Sequence, residues 1–153
     1  MLEKLVRGVT KRVTRIDEGM GIGLGLIHLD LFAQDSTVSN DASVVSLFKF
    51  GNFKALLTGD APANILVKYP IESINYIKVP HHGAKTGLTQ ALLELLSPQL
   101  AVISVGKNSY GHPTPEILSL LKENNIKVLR TDEVGNIEVV SDGKGWKVEN
   151  TPK

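Results

Sequence analysis

Three short aliphatic runs, at residues 53–57, 76–79 and 100–105, each break off into a loop of glycine, proline and polar side chains. This recurrence constrains the fold more than any other feature of the chain. Short continuous apolar runs bounded in this way read as buried strands. Helical stretches fall between them. Residues 61–68 suit a short helix with Pro62 in its first turn. Residues 88–96 are apolar all round, which predicts a well-covered helix. Thr114-Pro115-Glu116 combines a cap, a first-position proline and an acid in the first turn, and starts a helix ending near Asn124-Asn125. Strands at 126–130, 137–140 and 146–149, with turns at 133–136 and 142–145, make the end β-rich. Upstream, residues 43–50 and 53–57 flank Gly51-Asn52, a two-residue hairpin signal. Residues 34–41 read as a polar loop, and Gly21, Gly23 and Gly25 break up an apolar stretch that resumes at 26–32. The whole pattern predicts one α/β (α+β) domain over residues 1–153, with no internal repeat.

Composition narrows the chemistry. The chain has no cysteine, so disulfides, thiolate metal sites and cysteine nucleophiles are excluded, and any metal must be held by histidine and carboxylate. With 17 basic and 16 acidic residues the net charge is +1, which gives no general attraction to nucleic acid or membrane. The imbalance is local: Lys4, Arg7, Lys11, Arg12 and Arg15 stand against Glu3 alone in a segment that suits an amphipathic basic helix or an edge strand equally. No secretory signal pattern follows these basic residues. No apolar run approaches the ~20 residues that span a bilayer, so the chain is expected to be soluble, without direct membrane insertion.

The loops that follow the aliphatic runs carry the candidate chemistry. Thr58-Gly59-Asp60 places an aspartate just past a strand end, where a scaffold can present a ligand or base; the alternative is that Asp60 caps the helix at Pro62. Val79-Pro80-His81-His82-Gly83 carries adjacent histidines. In an extended chain these point in opposite directions, so one of the two would enter a given site. Tyr110-Gly111-His112-Pro113 leads into the helix at Thr114, and His112 there is either an anion contact or structural. Three of the four histidines sit on these loops, which a structural scatter would not produce.

The ordered motifs resemble a known family. They are Asn40-Asp41-Ala42-Ser43-Val44-Val45, Leu56-Leu57-Thr58-Gly59-Asp60 and Ile77-Lys78-Val79-Pro80-His81-His82-Gly83-Ala84-Lys85-Thr86. Ile103-Ser104-Val105-Gly106 with Asn108, Tyr110-Gly111-His112-Pro113 with Pro115, and Arg130-Thr131-Asp132 with Gly135, Asp142 and Gly143 complete them. Over about residues 40–148 the chain is similar to the metallo-β-lactamase-type domain of the ComEC competence proteins, which take up DNA across the bacterial cell membrane. The resemblance implies the C-terminal half of a metallo-β-lactamase-like αββα sandwich at 40–149, preceded by a divergent basic segment at 1–39. It assigns Asp60 and His82 as metal ligands for zinc or manganese, and His81 and His112 as catalytic groups.

The family's early His-x-His/Asp-x-Asp-His motif has no counterpart. The nearest approach, His28-Leu29-Asp30, has Phe32 and Ala33 where aspartate and histidine belong. The ligand set is thus expected to be incomplete. The resemblance implies a phosphodiester hydrolase in the complete protein, inactive or weakly active as this chain, with DNA as its partner. The alternative is a non-catalytic remnant that associates with another polypeptide. A half-sandwich with an uncovered face is expected to form a homodimer or to bind its missing N-terminal half. A nucleotide-binding role for Gly21-x-Gly23-x-Gly25 is a third, weaker reading.

Overall fold

The computed structural model describes residues 20–151 of the chain. The basic segment at 1–15 lies outside the described residues. Seven strands form one sheet in the order β1 (Met20–Leu24), β2 (Ile27–Phe32), β3 (Val45–Phe50), β4 (Phe53–Leu57), β5 (Tyr76–Lys78), β6 (Leu100–Ile103) and β7 (Lys127–Arg130). Spatial order follows chain order. β1 to β4 are an antiparallel meander, whereas β4 to β7 run parallel. Parallel neighbours require crossovers, and helices supply them: α1 (Ala63–Leu66), α2 (Gln90–Leu96) and α3 (Pro115–Glu123). A helical turn, α4 (Thr131–Val134), then leads to a separate two-stranded hairpin of β8 (Asn136–Ser141) and β9 (Trp146–Thr151). The fold is mixed α/β, as the alternation of runs and helices predicts.

Successive parallel crossovers share one hand, so all three helices cover the same face of the sheet. The register aligns Leu47, Leu56, Ile77, Ala101 and Val128 in a single row across β3 to β7. Ile65 and Leu66 of α1, Leu92, Leu93 and Leu96 of α2, and Ile117 and Leu121 of α3 join this row in one buried cluster. Burying such side chains stabilises by roughly 1.5–3 kcal/mol each, which makes this interface the main source of stability. The opposite face carries Phe53, Ala55, Leu57, Leu100 and Val102. The β8–β9 hairpin lies against part of it, with the rings of Trp146 and Phe53 6.0 Å apart. The backbone amide of Asn52 donates to Gly143 O at 2.7 Å, tying the hairpin to the β3–β4 turn. Leu57 on this face remains 43% exposed. Among the described residues, no helix is long and apolar enough to cross a membrane.

Several local expectations need correction. Gly21 and Gly23 do not interrupt an apolar stretch; they lie within β1, and Gly25-Leu26 turns it into β2. No helix follows, so the backbone amides that cradle a phosphate are not presented, and the nucleotide-binding reading fails. Helix α2 is covered on one side only: Leu92, Leu93 and Leu96 are buried, but Leu95 is 46% exposed, because only one face meets the sheet. The turn expected at 133–136 is instead the helical turn α4, ending at Gly135. Thr114 occupies the cap position of α3 without a side-chain cap bond.

Candidate functional site

Because β4, β5 and β6 are parallel, the loops following them emerge at one edge of the sheet, and β3, running the other way, brings residues 40–44 to the same edge. The carboxyl edge of parallel strands is where open α/β sheets commonly bind ligands. All four predicted site residues lie there.

Thr58, fully buried, follows β4 and donates from Oγ1 to Lys78 O at 2.7 Å, locking the β4 loop to the end of β5. Gly59 O accepts from the His81 backbone amide at 3.2 Å and from Lys78 Nζ at 3.2 Å. Asp60 N donates to Ser43 Oγ at 3.2 Å. Pro62, not Asp60, is the cap residue of α1, so the capping alternative for Asp60 does not hold. Burial lowers the Lys78 ammonium's pKa, and the nearby Asp60 charge opposes that shift.

The histidine pair does not adopt the extended conformation expected of it. Residues Pro80–Gly83 form a tight helical turn in which His81 and His82 both have positive φ, at 47° and 55°. Adjacent side chains therefore leave the turn on neighbouring sides, with ring centroids 6.4 Å apart. Their hydrogen bonds select opposite tautomers. The His82 Nδ1 donates to the Ser104 carbonyl, which leaves its Nε2 lone pair free for a metal or proton. The Asn40 amide donates to His81 Nδ1 at 3.3 Å, so the neutral His81 ring carries its proton on Nε2.

His112 stands 5.6 Å from His81, ring centroid to centroid, and its Nδ1 is buried with no hydrogen-bond partner among the described residues. Asn108 organises this loop with a single side-chain amide. Its Nδ2 donates to the carbonyls of Gly106 (2.9 Å) and His112 (2.8 Å). Its Oδ1 accepts from the amides of Tyr110 (3.1 Å) and His112 (3.1 Å). The loop is joined to the histidine turn by Thr114 N donating to Gly83 O at 3.0 Å. Beside it, Thr131 Oγ1 accepts from Val105 N at 2.8 Å and donates to Val105 O at 2.7 Å. That clamp borders an open surface groove lined by Gly106, Lys107, Asp132 and Gly135.

Among the described residues, no group of three or more histidine, aspartate or glutamate side chains is placed to hold a metal ion. Zinc sites use at least three protein ligands. Asn40, Ser43, Lys78 and Asn108 have no predicted role from sequence, yet they support the candidate residues. For Asn108 the advance signals are its place among the motifs of the resemblance and its residue type, an asparagine in a glycine-containing loop that can bond its own backbone neighbours.

No family model matches the sequence. The chain is 35% identical over 111 residues to ComE operon protein 3 of Bacillus subtilis (strain 168), covering 69% of this chain and 14% of that protein. It is 32% identical over 105 residues to Competence protein ComA of Neisseria gonorrhoeae, covering 65% of this chain and 15% of that protein. It is 29% identical over 119 residues to Recombination protein 2 of Haemophilus influenzae, covering 74% and 15% respectively. Its homologues are therefore competence and recombination proteins, and it spans about 15% of their length.

Proposed function

We propose that this chain is a portion of a ComEC-like competence protein, the C-terminal half of its metallo-β-lactamase-type domain, and that the complete domain hydrolyses phosphodiester bonds of DNA during uptake. One observation carries the reading: the Asp60, His81–His82 and His112 loops are hydrogen-bonded to one another at a single sheet edge. Asp60 and His82 act as ligands for zinc or manganese, completed by residues outside this chain. Divalent metals supply an activated water and neutralise charge on the phosphate. His82 suits ligation because its Nδ1 is already committed to the Ser104 carbonyl. His81 presents Nε2–H, a donor suited to a phosphate oxygen or a leaving oxygen. His112 lies beside it and shares that role.

A second reading, a non-catalytic remnant that binds a partner chain, draws support from the exposed Leu57 and Val44. A second copy of this chain or the missing N-terminal half would then cover those residues. The two readings separate in one experiment. The isolated chain should bind zinc or manganese weakly and cleave DNA little or not at all. Joined to the upstream part of its parent, it should bind metal tightly and cleave, and Asp60→Ala or His82→Ala should abolish both. Metal-dependent cleavage by this chain alone, lost in Asp60→Ala, would overturn the half-site reading. A completed domain with tight metal but no cleavage would favour the remnant.

A further inference from the structure

Four aromatic rings form a continuous row along the candidate site: His82, His81, His112 and Tyr110, with successive centroids 6.4, 5.6 and 6.2 Å apart. The end member differs from the rest. Tyr110 is 82% exposed, the most exposed of the large hydrophobic side chains described. Its ring nevertheless lies nearly parallel to His112, at 24°. At 6.2 Å between centroids the two rings are offset, and the Tyr110 ring stays almost wholly open to solvent beside the site. The loop beneath it is braced, because Asn108 Oδ1 accepts from the Tyr110 amide while the same side chain holds both polar backbone groups of His112. An aromatic ring held out on a fixed backbone loses little entropy when a flat ligand stacks on it.

We infer that Tyr110 is a stacking platform for an unpaired nucleobase, placed beside the phosphate position at His81 and His112. The inference rests on the phosphodiester reading and narrows its substrate to single-stranded nucleic acid. Bases within a duplex already have both faces stacked, whereas an unpaired base offers a free π-face to any aromatic side chain. Lys107, exposed and three positions earlier in the same loop, has no ion-pair partner among the described residues and supplies positive charge for a neighbouring phosphate.

The test is binding rather than turnover. A fluorescein-labelled twelve-nucleotide thymidine strand and the corresponding thymidine–adenosine duplex are titrated with the chain at low salt, followed by anisotropy. The single strand should bind more tightly than the duplex. Tyr110→Ala should weaken single-strand binding about tenfold, the range of one base–aromatic stack, and leave duplex binding unchanged. Tyr110→Phe should keep the single-strand affinity, since it keeps the π-face. The imidazole resonances of His112 in Tyr110→Ala should still report a folded loop, which the exposure of this side chain favours. Unchanged single-strand affinity in Tyr110→Ala overturns the platform while leaving the phosphodiester reading intact. Failure of the wild-type chain to bind either oligonucleotide overturns the platform and counts against that reading too.

Discussion

Gly83→Ala should be the most damaging small substitution at the candidate site, and two other glycines on the neighbouring loop show why. Gly83 has φ +86°, and a Cβ built there would stand 2.6 Å from Pro113 Cβ and 3.0 Å from Pro113 Cα. Left-handed backbone costs a non-glycine residue about 1–2 kcal/mol. Forcing a methyl group into a filled contact costs about 1–3 kcal/mol more. The sum, roughly 2–5 kcal/mol, is a large part of a typical domain's stability of about 5–15 kcal/mol. Gly111 has φ +76° but open space around its Cβ position, so Gly111→Ala isolates the backbone cost at about 1–2 kcal/mol. Gly106 has neither feature, and Gly106→Ala should fall within about 1 kcal/mol of wild type, on the stabilising side. Thermal unfolding followed by circular dichroism reads all three, at about 2–4 °C per kcal/mol for a chain of this size. The order of melting temperatures should be Gly106→Ala, then Gly111→Ala, then Gly83→Ala. Because Pro113 follows His112, the Gly83 variant should also perturb the His112 resonances. Equal melting temperatures for the Gly83 and Gly111 variants would refute the argument that the histidine turn and the His112 loop are seated against each other.

Asn108→Ala removes four hydrogen bonds from an exposed loop where water can replace much of what is lost, so it should cost only about 1–2 kcal/mol. It should nevertheless broaden or shift the His112 signals in an NMR spectrum, and Asn108→Asp, which keeps the acceptor, should shift them less. Ile77→Ala, at a fully buried central position, should lower stability by about 2–5 kcal/mol in urea titration, whereas Leu57→Ala on the half-open opposite face should cost far less. Comparable losses for the two would mean that both faces are covered. Backbone amides of Gly145 and then Lys144 hold the Asp142 carboxyl below its usual range, so in acid the folded chain binds fewer protons than the unfolded one. That contribution is complete above the unfolded carboxylate's pKa and disappears as pH falls through the folded value. The urea midpoints of wild type and Asp142→Ala should therefore differ at neutral pH and converge in strong acid.

Much of the scaffold could be read directly from residue order. A continuous aliphatic run marks β6, whose four residues are buried on both faces, while β4 and β5 are each marked by apolar residues around a single lysine. Gly51-Asn52 and Thr114-Pro115 mark a hairpin and a helix start through backbone preferences that act within a few residues. The placement of Asp60, His81, His82 and His112 at strand ends was legible for the same reason, and parallel pairing alone then brings them to one edge. What the residue order leaves open is everything that depends on partners distant in the chain. The left-handed turn at His81 and His82 persists because Gly83 fits against Pro113, some thirty residues away. The tautomers of the two histidines follow from Asn40 and Ser104, contacts across forty-one and twenty-two positions. Helix α2 is leucine-rich but covered on one side; Gln90 and Glu94, one turn apart, mark its open face, and the reading of it as apolar all round overlooks them. Local preferences are encoded in adjacent residues, but hydrogen-bond partners and burial are set only when the tertiary fold brings remote segments together.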